Sequence, residues 1–277
     1  MNCVESICNS TQKLQFTPVK DLAHKLSVVL HDLSMHYPCD WFGIASRIEN
    51  VDYDIWKYQM DTMGLCEPAD EYDTEKQKID QSVVNELVIF SFIWFGFESL
   101  LNELNLPKNK NFPGKINSAT FFLKNSFDPS CEIFAGYNCL VAKLKDLVAN
   151  SSFEEEVKYS VLRKAVPNDY TSLSGIGLQM VYQIRNKFVH GSFSFPQPQD
   201  WSFKKVVEPK VIKLSSYITL ISCQMLLYAQ YKEEDITIYD YNHDFVEATE
   251  DEFDESEISL VSCLQSMHYY IKNLSDN

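Results

Sequence analysis

The chain has 277 residues, of which 45% are hydrophobic and 23% charged, a globular composition at a length that suits one large domain or a compact domain with smaller additions. Only 8 Gly and 10 Pro exclude collagen-like and low-complexity classes. The formal charge of −15 is the reverse of what a general nucleic-acid binder carries, so any such role has to be local.

The charge is unevenly spread. Twelve acids lie between Glu233 and Glu257 with no Lys or Arg among them, whereas Cys139 to Lys213 holds eleven basic residues against seven acids. Eight Cys show no CxxC pair and no tight Cys/His spacing, so they read as reduced thiols and no metal is expected. The N-terminus lacks a basic start followed by an apolar run, and the cytoplasm is the expected compartment.

In chain order, the first expected element is an amphipathic helix over PVKDLAHKLSVVLHDLSMHY, with Val19, Leu22, Leu26, Val29, Leu30 and Leu33 at helical spacing, followed by Pro38 and Gly43. Its His24, His31 and His36 lack the i, i+4 pairing that a metal site favours. A second helical candidate runs from Tyr53 to Met63. The charged run CEPADEYDTEKQKID reads as a surface connection, with a boundary near residue 78. Four helices are then expected at 82–105, 131–149, 171–190 and 211–232, with the turn-rich PKNKNFPGKINS and the Pro-containing SFSFPQPQDWSF as loops. Within the first of these, Leu87 to Phe97 is apolar all round and reads as the central rod of a bundle; at eleven residues it falls well short of the roughly 18–20 that span a bilayer. Strand patterns are almost absent; DITIYDY could pair only marginally, and ISLVSCLQSMHYYIKNL reads as a final amphipathic helix. The expectation is an all-α protein: an N-terminal helical extension over 1–79, a four-helix core over 80–232, and an acidic segment plus C-terminal helix over 233–277.

The chemistry concentrates in RNKFVH, residues 185–190, at the end of the third core helix and followed by Gly191. Asn186 and His190, at i and i+4, share a face, and Arg185 lies about 100° round the helix. Phe188 points with Ile184 and Val181 toward the bundle. An imidazole gives or takes a proton near neutral pH, and a guanidinium neutralises charge building on a phosphate. The pair suits metal-free phosphodiester cleavage, with His190 as acid/base on a ribose 2′-hydroxyl or leaving 5′-oxygen and Arg185 on the non-bridging oxygens. A dipole-compensating His and a surface Arg are the plainer alternative.

This arrangement, Arg with a polar residue next to it, then His and Gly at a helix end in a helical chain, resembles the signature of the HEPN superfamily. The long apolar helix with WFGFESLLNEL resembles the first core helix of that family, in which Glu98 occupies the position of an acidic residue facing the site. The resemblance covers about 82–232. It implies a compact four-helix bundle that dimerises, bringing Arg185, Asn186, His190 and Glu98 from two protomers into one composite cleft. The implied activity is that of a metal-independent endoribonuclease without cofactor, of the kind found in prokaryotic toxin and defence systems. The alternative implied is a non-catalytic module that binds RNA or protein. RNA, a second copy and a regulatory or inhibitor protein are the implied partners; no membrane is. Ser192 stands where one subset of the family carries a modified Tyr, so AMP addition is not expected there.

Lys187, and Lys204 and Lys205 beside Trp201, are the expected RNA-binding cations. The acidic 233–257 run reads either as a solvated segment or as a phosphate mimic that covers the basic region or docks a regulatory partner.

Overall fold

The computed structural model describes residues 12–58, 67–108, 110–150, 155–198, 206–239 and 257–273. The described chain is mostly helical, in the order β1 (Gln12–Phe16), α1 (Val19–Asp32), α2 (His36–Arg47), α3 (Glu67–Glu103), α4 (Lys115–Ser126), α5 (Glu132–Asn150), α6 (Glu155–Lys164), α7 (Leu173–Val189), α8 (Glu208–Tyr231), β2 (Thr237–Tyr239), β3 (Glu257–Ser259), α9 (Leu260–Ser266) and β4 (Tyr269–Asn273).

The helix expected to run from Pro18 past His36 breaks at Ser34, which takes φ 59°. Ser34 N–H donates to His31 O at 2.9 Å and Met35 N–H to Leu30 O at 2.8 Å, the paired bonds of a Schellman cap. α2 then restarts through Pro38 and Gly43. Pro38 falls in the first turn, where an N–H has no helical partner to lose, so it does not stop the helix. Of the candidate at Tyr53 to Met63, residues 53–58 form extended chain and a turn; 59–63 lie outside the described residues.

The charged run before residue 80 is part of α3, a 37-residue helix that continues through the expected boundary near 78. Its polar residues face a polar partner and so leave no apolar stripe to read. Gln77 Oε1 accepts from Ile55 N–H at 2.8 Å, Asn85 Oδ1 accepts from Val51 N–H at 2.9 Å, and Gln81 Nε2 donates to Val51 O at 2.5 Å. Between them Asp80 is buried, accepting from Tyr53 Oη at 3.1 Å and paired with Lys76. Amide side chains at i, i+4 and i+8 thus hold residues 51–55 along α3 as a neighbouring strand would.

The linker expected before 131 contains α4, and α6 is a further helix not anticipated from the sequence. The helices expected at 131–149, 171–190 and 211–232 appear as α5, α7 and α8. α8, not the 87–97 run, is the most enclosed: Ile218 to Leu227 are all buried, while Phe95 on α3 is exposed. Ser215, Thr219 and Ser222 hide their hydroxyls by donating to carbonyls four residues back at 2.7–2.8 Å, so polar letters occupy core positions without orphaned groups. α3 and α8 are each long and apolar enough to cross a membrane by length and composition, and 78% of that stretch of α8 is buried within the fold.

The expected final helix is instead β3, α9 and β4. β2 pairs antiparallel with β3, Ile238 opposite Ile258, and β4 pairs antiparallel with β1, Gln12 opposite Asn273 and Phe16 opposite Tyr269. Thr17 N–H extends that ladder to His268 O at 3.0 Å. His268 is fully buried beside Gln224, whose Nε2 donates to Leu264 O and, at 2.8 Å, to His268 Nδ1. The imidazole proton therefore sits on Nε2, which together with Gln224 Oε1 is buried without a partner among the described residues. Burial pushes the His268 pKa down to about 4. Gly136 on α5 makes room for this corner: a Cβ there would lie 2.6 Å from the Tyr269 hydroxyl and 3.2 Å from His268 Nε2.

Candidate functional site

α7 is anchored by its buried face, Ile176, Met180, Val181 and Ile184, and ends in a second Schellman cap. Gly191, at φ 63°, donates to Phe188 O at 3.2 Å, and Ser192 N–H donates to Lys187 O at 3.0 Å. His190 is the C-cap residue. Its backbone N–H donates to Asn186 O at 3.0 Å, its side chain is exposed, and its imidazole makes no hydrogen bond among the described residues. A left-handed residue that only glycine adopts freely thus turns the chain away immediately after the histidine and leaves the imidazole at the rim.

Arg185 points the other way, onto α3. Its Nη2 lies 3.5 Å from Glu98 Oε1, and its guanidinium carbon sits 5.7 Å from the centre of the Trp94 ring. Trp94 is buried and donates its Nε1–H to the same Glu98 oxygen at 2.6 Å. Glu98 therefore has two fixed donors, and Arg185 is held between a carboxylate and an aromatic face while 23% of its side chain stays exposed. Asn186 and Lys187 are half-buried on the same turn.

The turn is braced from below. Phe188 packs edge-on to Phe90 and lies 4.6 Å, centre to centre, from Phe193, which meets Phe195. The loop from Ser192 to Pro198 then crosses the N-terminal half of α3, with Lys76 over the Phe195 ring and the Tyr72 hydroxyl donating to Gln197 Oε1 at 2.8 Å.

Of the expected site residues, Arg185 and Glu98 meet directly, and Asn186 and His190 share the helix end without a side-chain bond. Glu98 is bound to Arg185 and not to His190. Lys204, Lys205 and Trp201 lie outside the described residues, as do 240–256 of the acidic run. Among the described residues, no group of three or more His, Cys, Asp or Glu could hold a metal ion. Trp94, which the sequence analysis does not single out, belongs to this cluster, and its place four residues before Glu98 on one helix is the signal for it.

Chemically, the arrangement offers a cation held against a carboxylate and an aromatic face with 23% of its side chain exposed, on the same helix end as an exposed imidazole. No protein-family model, curated protein or solved structure matches this chain.

Proposed function

We propose that the protein is a metal-independent endoribonuclease of the HEPN type that works as a homodimer, with His190 as general acid/base, Arg185 as phosphate clamp, Asn186 as positioning group and Glu98 orienting Arg185. The observation that carries this reading is the division of labour at the end of α7: Arg185 is braced by Glu98 and Trp94, whereas His190 stands exposed at the C-cap. A phosphate clamp has to be preorganised, and a proton carrier has to be reachable.

In the reaction, an imidazole takes the proton of a ribose 2′-hydroxyl as the 2′-oxygen bonds to phosphorus. The bond from phosphorus to the 5′-oxygen breaks, and an imidazolium returns a proton to that leaving oxygen. The products are a 2′,3′-cyclic phosphate and a free 5′-hydroxyl. Two copies of His190 across a dimer would supply the base and the acid, and Arg185 the charge on the non-bridging oxygens. A role in a prokaryotic toxin or defence system belongs to the same reading.

One observation favours the second reading, a module that binds RNA or protein without cleaving. The Arg185 charge is already matched by Glu98, as in a structural ion pair.

The deciding experiment is cleavage of single-stranded RNA in the presence of EDTA. The nuclease reading requires activity in the wild type and its loss in both Arg185→Ala and His190→Ala. A wild type that binds RNA and never cuts it leaves the binding module. A wild type that does neither sets aside the nuclease and the RNA-binding module and leaves only a protein-binding one.

A further inference from the structure

We propose that a second site, a cleft of about 280 Å³ between α4, α6 and α7, binds a nucleoside phosphate. Its volume sits near the lower end for small-molecule sites, about 300 Å³, which suits one nucleotide unit and not a dinucleotide.

The first argument is charge. In a chain of net charge −15, this cleft is lined by Arg163 and Lys164 and, among the described residues, by no Asp or Glu. Among the described residues Lys164 gives one hydrogen bond, to Gln183 Oε1 at 3.2 Å, and keeps its remaining donors; Arg163 is exposed and rests over the Tyr159 ring. Two adjacent cations, one of them a planar guanidinium, match a phosphate oxygen set.

The second argument is the wall opposite. Gln179 is only 5% exposed, yet it lines the cleft. Its Nε2 donates to Asn117 Oδ1 at 3.1 Å and to Thr120 Oγ1 at 3.4 Å, which fixes the amide and leaves Oε1 without a protein partner among the described residues. An acceptor fixed in place and open to the cleft can receive a ligand N–H. The Gln183 amide, its oxygen taken by Lys164, presents its NH₂ to an acceptor.

The third is the rings. Tyr170 and Tyr182 flank the space, and Tyr182 is backed by Trp94 in a near-parallel stack, 16° between planes. Cations, a fixed acceptor, a fixed donor and flat aromatic surface together describe a phosphate joined to a hydrogen-bonding heterocycle. A simple anion would leave the amides and rings idle. The nucleotide can be free or part of an RNA strand. The buried Trp94 ring lies between the two sites, stacked by Tyr182 of the cleft and covered by Arg185 of the end of α7.

The test is calorimetric titration of the full chain with the four ribonucleoside 5′-monophosphates, with inorganic phosphate and with a short single-stranded oligoribonucleotide. It uses the wild type, the double variant Arg163→Ala/Lys164→Ala and the single variant Gln179→Leu. Saturable binding of a mononucleotide is expected, weakened about tenfold or more in the double variant, whose exposed substitutions leave the fold intact. If the oligoribonucleotide alone binds, and binds more weakly to the double variant, the nucleotide is a unit of a strand. Absence of binding by both, unchanged affinity in the double variant, or inorganic phosphate binding as tightly as any nucleotide overturns the proposal. His190→Ala is expected to leave mononucleotide binding unaltered, so failure of the cleavage reading and failure of this one register separately.

Discussion

Arg185 Nη2 lies 3.5 Å from Glu98 Oε1, tying the end of α7 to the C-terminal part of α3. Because the pair is partly solvated, it holds geometry more than it holds the fold: exposed ion pairs contribute about 0.2–1 kcal/mol and exposed cation–π contacts about 0.5–1 kcal/mol. Arg185→Ala is expected to cost about 1 kcal/mol in urea denaturation, yet to lower EDTA-resistant RNA cleavage by about a hundredfold or more. Glu98→Gln keeps an oxygen for Trp94 and frees Arg185. Its stability should barely change, and its cleavage rate should fall between those of the wild type and Arg185→Ala.

His190 is exposed and, among the described residues, bonded only through its backbone, so His190→Ala should shift stability by no more than about 0.5 kcal/mol while abolishing cleavage. Mixing and refolding His190→Ala with Arg185→Ala protomers tests where the two groups meet. A site that takes Arg185 from one copy and His190 from the other regains one intact cleft in the mixed dimer, and activity returns. Silence in the mixture is the outcome for a cleft that needs both copies of His190, as the two-imidazole reaction does, or for one built wholly within a protomer; the activity of a wild-type/His190→Ala mixed dimer separates these two.

The two Schellman caps make reciprocal predictions. Gly191 and Ser34 occupy the same left-handed position after α7 and α1, and nothing lies within 4 Å of a Cβ built on Gly191, so only backbone conformation is at stake there. Gly191→Ala should cost about 1 kcal/mol and displace His190, lowering cleavage more than stability. Ser34→Gly should raise stability by about 0.5–1 kcal/mol. Denaturation midpoints at unchanged m-values check both.

His268 supplies a pH prediction. Its folded pKa, near 4, lies below the ordinary value of about 6.5, so between those limits the unfolded chain binds the extra proton. Stability from this group is complete above about pH 6.5 and is lost as pH falls toward 4, by up to about 3 kcal/mol. In His268→Asn, which is less stable at pH 7, the fall in unfolding free energy from pH 7 to pH 5 should be shallower than in the wild type. Equal slopes in the two proteins would contradict the buried, neutral imidazole.

What the sequence disclosed follows from how each element satisfies its groups. α5, α7 and α8 carry apolar residues at helical spacing, and their limits were legible to within a few residues. α3 was half legible, because Gln77, Asp80, Gln81 and Asn85 pack against the polar chain at 51–55 and so wear the pattern of a surface linker. α4 and α6 were missed, and with them the cleft they form with α7. At the helix end, Arg185, Asn186 and His190 stand out by residue type alone, whereas the hold of Glu98 on Arg185 depends on two helices meeting 87 residues apart. The C-terminal segment misled because YYIKN forms a strand only by pairing with β1, more than 250 positions away.

That distant pairing has a mechanical meaning. In the β1–β4 register the outermost residues, Gln12 and Asn273, are opposite each other, and Phe16 and Tyr269 close the inner end. Tension applied to the two strand ends therefore loads the ladder one rung at a time, like a zip fastener, and not all rungs in shear. Under such a pull the pair yields early, and the burden passes to the Thr17–His268 rung and the helical body behind it.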